Sequence, residues 1–185
     1  MRVIAGTARG TKLKAPNDLT VRPTADRVKE ALFSIIAPRV ANALFIDFYA
    51  GSGAVGIEAL SRGARFCVFV EHKKDNIALI KENLDRTRLE QNARLIMADV
   101  EKAIVDLASE KIMADLIFLD PPYDCKDIPA VTNSIFRHKI IADSGLLIVE
   151  HAHRNRQWAE GFSGIRQKKY GDTCLTLISL VSSSG

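Results

Sequence analysis

The chain has no paired or clustered cysteine. Cys67, Cys125 and Cys174 stand far apart and are odd in number, with no Cys-x-x-Cys and no Cys/His group at zinc spacing. Idle or buried thiols are expected, and nothing marks Cys125 as a nucleophile. No apolar run approaches the ~18 residues needed to span a bilayer. Met1 to Pro16 lacks the apolar core of a signal peptide, so a cytoplasmic protein is expected. There is no internal repeat or low-complexity segment. The four histidines, His72, His138, His151 and His153, form no catalytic pair, although Glu150-His151 ends an apolar run. What is there is an ordinary globular balance: 185 residues, 47% hydrophobic and 26% charged, enough for one domain with a small appendage.

The charge is unevenly placed. Residues 1–40 carry eight basic side chains (Arg2, Arg9, Lys12, Lys14, Arg22, Arg27, Lys29, Arg39) against three acids, a balance of +5. The rest of the chain carries 18 basic against 19 acidic, a balance of −1. Such a segment suits either a phosphate backbone or a merely solvated face.

Two short β-like runs, Arg2–Ala5 and Lys12–Ala15, flank a turn between Gly6 and Gly10 and predict a hairpin. Residues 16–23 read as loop. Thr24 then caps a helix with an apolar stripe at Val28, Ala31, Leu32, Ile35 and Ile36, and Pro38 follows its end. From residue 44 short apolar runs alternate with helical stretches. The runs are Leu44–Phe48, Phe66–Val70, Arg94–Met97, Leu116–Leu119 and Leu146–Val149. The alternation predicts an α/β fold with a parallel sheet covered on both faces. Arg166–Tyr170 and Thr173–Val181 flank Gly171-Asp172, a hairpin signal that adds an antiparallel edge. The tail Ser182–Gly185 reads as frayed.

Gly51-Ser52-Gly53-Ala54-Val55-Gly56 follows the first run and opens a helix, with Glu71 ending the next run 20 residues after Gly51. A glycine loop plus a carboxylate that can accept from ribose hydroxyls signals an adenosine-bearing cofactor. Asp47, four residues before Gly51, separates the candidates. A carboxylate repels the pyrophosphate of NAD but suits the cationic amino and sulfonium groups of S-adenosylmethionine. Asp47 is alternatively a turn or helix-capping carboxylate. Asp99 either receives an adenine amino group or caps the helix that begins at Val100, and His72, which follows Glu71, is expected to border the adenine.

Asp120-Pro121-Pro122-Tyr123 follows the fourth run directly. An exocyclic amine on a base is a poor nucleophile because its lone pair is delocalised into the ring. Two acceptors, the Asp120 carboxylate and the Pro121 carbonyl, can hold its N–H bonds and aim the lone pair at a methyl group. Prolines fix the direction of that carbonyl, and Tyr123 can stack on an unstacked base. No metal is needed. If strands one and four are neighbours across the topological switch, Asp47 and Asp120 face one crevice.

These motifs, together with Arg2-Val3-Ile4-Ala5-Gly6, Arg22-Pro23-Thr24, Asp26-Arg27-Val28-Lys29-Glu30, Asp47-Phe48-Tyr49-Ala50-Gly51-Ser52-Gly53, Glu58-Ala59-Leu60-Ser61-Arg62-Gly63 and Tyr170-Gly171-Asp172-Thr173, carry a resemblance over nearly the whole chain. The chain resembles the bacterial 16S ribosomal RNA guanine-N2 methyltransferases of the RsmD type. The N-terminal block is the specific part, and Tyr49 departs from the Phe usual there. The resemblance implies a Rossmann-like methyltransferase fold with a seven-stranded, mostly parallel sheet over residues 41–185. An RNA-contacting hairpin and helix extension is implied over residues 1–40. It further implies S-adenosylmethionine as cofactor and 16S rRNA, within an assembling small-subunit particle, as partner; a monomer is expected.

The site expected from motifs and resemblance together is catalytic at Asp120, Pro121, Pro122 and Tyr123. It binds cofactor through Asp47, Tyr49, Ala50, Gly51, Ser52, Gly53, Gly56, Glu71, His72, Asp99 and Val100. It binds RNA through Arg2, Arg9, Lys12, Arg22, Thr24 and Arg27. The rival readings are adenine-N6 methylation of DNA, a non-catalytic RNA-binding assembly factor, and an NAD-dependent oxidoreductase.

Overall fold

The computed structural model describes residues 1–16, 23–122, 127–160, 162 and 164–179, with the side chains of residues 23–25 and of Arg156 left aside. Tyr123, Cys125, Arg22, the Thr24 side chain and the tail Ser182–Gly185 therefore lie outside the described residues.

Twelve principal elements follow in chain order: α1 (Pro23–Val40), β1 (Leu44–Phe48), α2 (Ala54–Ser61), β2 (Phe66–Glu71), α3 (Lys74–Thr87), β3 (Ala93–Met97), α4 (Val100–Ser109), β4 (Ala114–Leu119), α5 (Ile128–Arg137), β5 (Ile141–Ala152), β6 (Ile165–Tyr170) and β7 (Thr173–Ser179). Two 3₁₀ turns, Glu90–Asn92 and His153–Ala159, were not expected from periodicity. The strands form one sheet of order β3-β2-β1-β4-β5-β7-β6. The first five pair in parallel, and β7 is antiparallel to both β5 and β6. β1 and β4 are neighbours, with Phe48 opposite Leu119, so the expected switch point is present.

Strand side chains alternate faces, and the two cores follow that alternation. Phe45, Phe69, Phe118, Ile148 and Leu175 join α1, α2 and α3 on one face. Ile46, Val68, Ile117, Leu147 and Val149 join α4 and α5 on the other. Strands buried on both faces read as continuous apolar runs, which is why they were visible in the sequence.

Several boundaries differ from expectation: β5 runs Ile141–Ala152 where Leu146–Val149 was expected, and α1 begins at Pro23, before the expected cap Thr24. Pro38 lies inside α1, not beyond its end. It occupies the last turn, where the missing N–H removes one hydrogen bond only. The N-terminal hairpin pairs through a single bridge, Arg2 with Lys12, flanked by Val3 N–H to the Thr11 carbonyl at 3.0 Å and Leu13 N–H to the Met1 carbonyl at 3.2 Å.

That hairpin is not a free arm. The Glu58 carboxylate, fully buried in α2, accepts from Ile4 N–H at 2.8 Å, Ala5 N–H at 3.0 Å and Arg62 Nε at 2.7 Å. Lys29, 5% exposed, donates to the Arg2 carbonyl at 2.7 Å and sits 3.4 Å from Glu58. Burial lowers the Lys29 pKa, and Glu58 opposes that shift. Thr7 N–H reaches the Ser61 carbonyl at 2.8 Å. Gly6, at φ +87°, lies so close to α2 that a Cβ would stand 1.7 Å from the Ser61 carbonyl oxygen.

Candidate functional site

Four carboxylates stand in a row across adjacent strand ends. Glu71 ends β2, Asp47 is the fourth residue of β1, Asp120 follows β4, and Glu150 lies near the end of β5. The strand order β2-β1-β4-β5 sets them side by side. Each lies two residues beyond a side chain of the α1–α3 core (Phe69, Phe45, Phe118, Ile148), so all four project to that face.

Asp47 is 2% exposed and its Oδ2 accepts from Gly56 N–H at 2.9 Å. Burial raises its pKa well above the usual carboxylate range, Gly56 opposes this, and the charges of Asp120 and Glu71 add to it. Of the two readings open for Asp47, the turn carboxylate is the one with a visible bond. Glu71, 5% exposed, accepts from Gly51 N–H at 3.0 Å and from Lys73 N–H at 2.9 Å, and His72 Nδ1 lies 3.2 Å away. A carboxylate has about four acceptor positions, so both acids keep capacity for a ligand.

The glycine loop is shaped by its backbone. Tyr49, Gly51 and Gly53 have φ of 60°, 56° and 76°. For a tyrosine this left-handed conformation is uncommon and typical of functional loops. Gly53 would bring a Cβ to 3.1 Å from Ile80. Gly56 has a packing task. A Cβ there would meet Phe69 at 2.3 Å and Cys67 Sγ at 2.7 Å, so this glycine lets α2 lie close on β2. Ala50 N–H donates to the Val70 carbonyl at 3.1 Å, and the Ser52 carbonyl accepts from Asn83 at 2.9 Å.

A cavity of about 290 Å³ opens beside the loop. Tyr49, Glu71, His72, Asp99 and Val100 line it, five of the expected cofactor residues. Asp99 occupies the N-cap position of α4 but makes no side-chain cap bond, so its carboxylate is left to the cavity. Glu101 and Asp127 line it too and were missed by sequence reading. Both sit at the starts of helices, where acids are ordinary. Among the described residues, four carboxylates and no lysine or arginine line this space. It suits a cationic, donor-rich ligand and opposes a pyrophosphate.

Asp120 N–H donates to the Phe48 carbonyl at 3.4 Å, extending the β1–β4 pairing by one residue. Pro121 is buried and Pro122 exposed. Solvent reaches Asp120 from the crevice, yet protein surrounds it on the other sides, and that desolvation raises its pKa to about 7. Burial, with the charge of Asp120 second, raises Glu150 to about 8.

Two structural residues were not legible. Asn83, fully buried in α3, accepts from Lys14 N–H at 2.8 Å and donates to the carbonyls of Lys14 and Ser52. It ties the glycine loop to the N-terminal segment. Glu58 does the corresponding work in α2. Each is a polar residue on the buried stripe of its helix, which is the signal the sequence offers. Of the basic residues, Arg2, Arg9, Lys12 and Arg27 are exposed, and no carboxylate pairs with them among the described residues. Lys14 is paired with Glu82 at 2.5 Å, Lys29 is buried, and Arg39 donates to the Ser144 carbonyl at 2.7 Å.

Comparison with known proteins places this geometry. The family model described as Conserved hypothetical protein 95 matches residues 1–179. The Bacillus subtilis protein YlbH is 38% identical over 151 residues, 82% of each chain. The Escherichia coli protein named Ribosomal RNA small subunit methyltransferase D is 35% identical over 155 residues, 84% of this chain and 76% of that one. A solved hypothetical protein from Thermus thermophilus superposes with a TM-score of 0.84 at 30% identity, covering 97% of this chain and 99% of that one. The chain belongs to the Conserved hypothetical protein 95 family, alongside the small-subunit rRNA methyltransferase D proteins that its motifs resemble.

Proposed function

We propose that this protein is an S-adenosylmethionine-dependent methyltransferase acting on the exocyclic N2 amine of a guanine in 16S rRNA. The observation that carries the reading is the row of four carboxylates beside an acid-lined cavity, at the switch point of a parallel sheet. The relatives' names support rRNA as the substrate, and the resemblance of the N-terminal block supports guanine N2. The assembling small-subunit particle in the cytoplasm is the proposed setting, with residues 1–40 as the RNA-contacting extension of the methyltransferase domain.

Glu71, Asp99 and the glycine loop would hold the adenosine part, and Asp47 would face the cationic end. The cofactor supplies an electrophilic methyl group on sulfonium. The chain's own residues aim the amine at it. Asp120 and the Pro121 carbonyl accept the two N–H bonds, and the nitrogen lone pair turns toward the methyl. On taking the methyl group from the sulfonium, the amine would shed one proton to Asp120 or to solvent. Positioning supplies much of the acceleration. Arg2 and Lys12 are cross-strand neighbours of like charge, an arrangement that costs energy until an anion lies between them.

Transfer of a labelled methyl group to unmodified 16S rRNA and to duplex DNA, followed by mapping of the modified base, tests this. Label on a guanosine N2 of rRNA is expected. Label confined to DNA or to adenine N6 would overturn it.

A further inference from the structure

β6 is an edge strand, and four consecutive residues on it, Arg166 to Lys169, are exposed. Three of them are cations and the strand holds no acid. No carboxylate pairs with Arg166, Lys168 or Lys169 among the described residues. Exposed charge protects a sheet edge from unwanted pairing, but that purpose does not require unpaired charge of one sign. The opposite edge shows the contrast: on β3, Arg94 is neutralised by a two-pronged pair with Glu110.

Register fixes where these cations stand. Lys168 pairs with Leu175, and Leu175 pairs with Glu150. Leu119 pairs with Val149, which puts Asp120 beside Glu150. Asp120, Glu150, Leu175 and Lys168 therefore lie at one level across four strands. At a strand spacing of ~4.8 Å, Lys168 is about 14 Å along the sheet from Asp120. Paired residues share a face, so Lys168, and Arg166 two residues earlier, project to the same face as Asp120 and Glu150. Lys169 projects to the other. The β6–β7 turn is tied to the crevice end of the sheet by His153 N–H donating to the Asp172 carbonyl at 2.7 Å. α1 packs on α2 and β4, and Arg39 in its last turn reaches the Ser144 carbonyl in the first part of β5. Its first turns, with exposed Arg27, therefore lie toward the crevice end.

We propose that the face of β6 bearing Arg166 and Lys168 is a phosphate-binding track for the RNA that delivers its base to Asp120. The track rests on the reading of the chain as an rRNA methyltransferase and adds a surface to it. RNA leaving the crevice meets cations on α1 in one direction and on β6 in the other. The charge balance of the sequence hid this surface, because residues 41–185 are nearly neutral in sum. The partner fitted by unpaired cations level with the base site is a polyanion.

The test is RNA affinity across a salt series, using a single-stranded fragment of 16S rRNA. Wild type is compared with the Arg166→Ala/Lys168→Ala double variant, with Lys168→Ala and with Lys169→Ala. All three sites are exposed, and affinity for S-adenosylhomocysteine is the control for folding. The double variant is expected to bind several-fold more weakly at low salt. Its log–log salt slope should be shallower by about 1.4, two contacts at ~0.7 each. Lys169→Ala, with the same charge removed from the other face, is expected to stay near wild type. Parallel lines of equal affinity for the double variant, or an equal loss in Lys169→Ala and Lys168→Ala, would overturn the track. Wild type that binds S-adenosylhomocysteine but no RNA would overturn the rRNA reading itself, and the track with it.

Discussion

Asp120 accepts its amine N–H most strongly as a carboxylate, and it stands where ionisation is resisted. Desolvation by the protein on its closed sides raises it to about 7, and burial raises its neighbour Glu150 to about 8. The single-turnover rate of methyl transfer is therefore expected to climb as pH rises from about 6 to about 8. Asp120→Ala should cost about 10²–10³ in rate while affinity for S-adenosylhomocysteine stays largely intact; an unchanged rate would remove Asp120 from the chemistry. Stability has the opposite sign. The folded chain keeps protons on this pair that the unfolded chain, with ordinary values near ~4, gives up. The pair's contribution is therefore greatest below about pH 4 and is lost as pH rises toward 8. Asp120→Asn and Glu150→Gln should flatten that part of the denaturation profile. At this scale the sequence revealed which residues matter but not what they touch. Asp47 and Asp99 each had two readings; the structure adds a Gly56 bond to the first and shows no side-chain cap bond for the second.

Among the elements, the N-terminal hairpin depends on α2 more than on its own pairing. One bridge cannot hold two strands together, whereas Glu58 and Ser61 accept four of its backbone N–H groups. Gly6→Ala puts a methyl group into the Ser61 backbone and should destabilise the protein by roughly 2–3 kcal/mol, by analogy with overpacked sites. Glu58→Gln leaves shape unchanged but strips the charge that partners buried Lys29 and Arg62. Loss of one member of a buried pair typically costs ~3–5 kcal/mol. Thermal denaturation measures both, and hydrogen exchange at Ile4 and Ala5 should quicken first. Wild-type protection at those two amides in Glu58→Gln would contradict the latch. Apart from the long β5, the helices and strands themselves were legible to within a few residues, because two-sided burial writes continuous apolar runs into the chain. The latch was not, since it joins residues 54 apart in sequence.

For the whole molecule, the sequence assigns +5 to residues 1–40, but folding spends part of it. Lys14, Lys29 and Arg39 are engaged within the protein, while Arg2, Arg9, Lys12 and Arg27 remain exposed. Arg9→Ala/Lys12→Ala should flatten the salt dependence of RNA binding by about 1.4 in log–log slope. Cofactor affinity should barely change, because the cavity lies across the sheet among β2, α4 and α5. Equal slopes in wild type and variant would reduce the segment to a solvated face.

The sequence by itself determined the alternation of strands and helices, the glycine loop after the first strand and the Asp-Pro-Pro-Tyr motif after the fourth. All of these are local, written in the spacing of neighbouring residues. Tertiary structure decided the strand order that aligns Glu71, Asp47, Asp120 and Glu150. It also set Asn83 against Lys14, 69 residues away, and put β6 level with the crevice. Periodicity shows which face of an element is buried but not which element covers it. That partner is chosen by packing and by the pairing of buried polar groups.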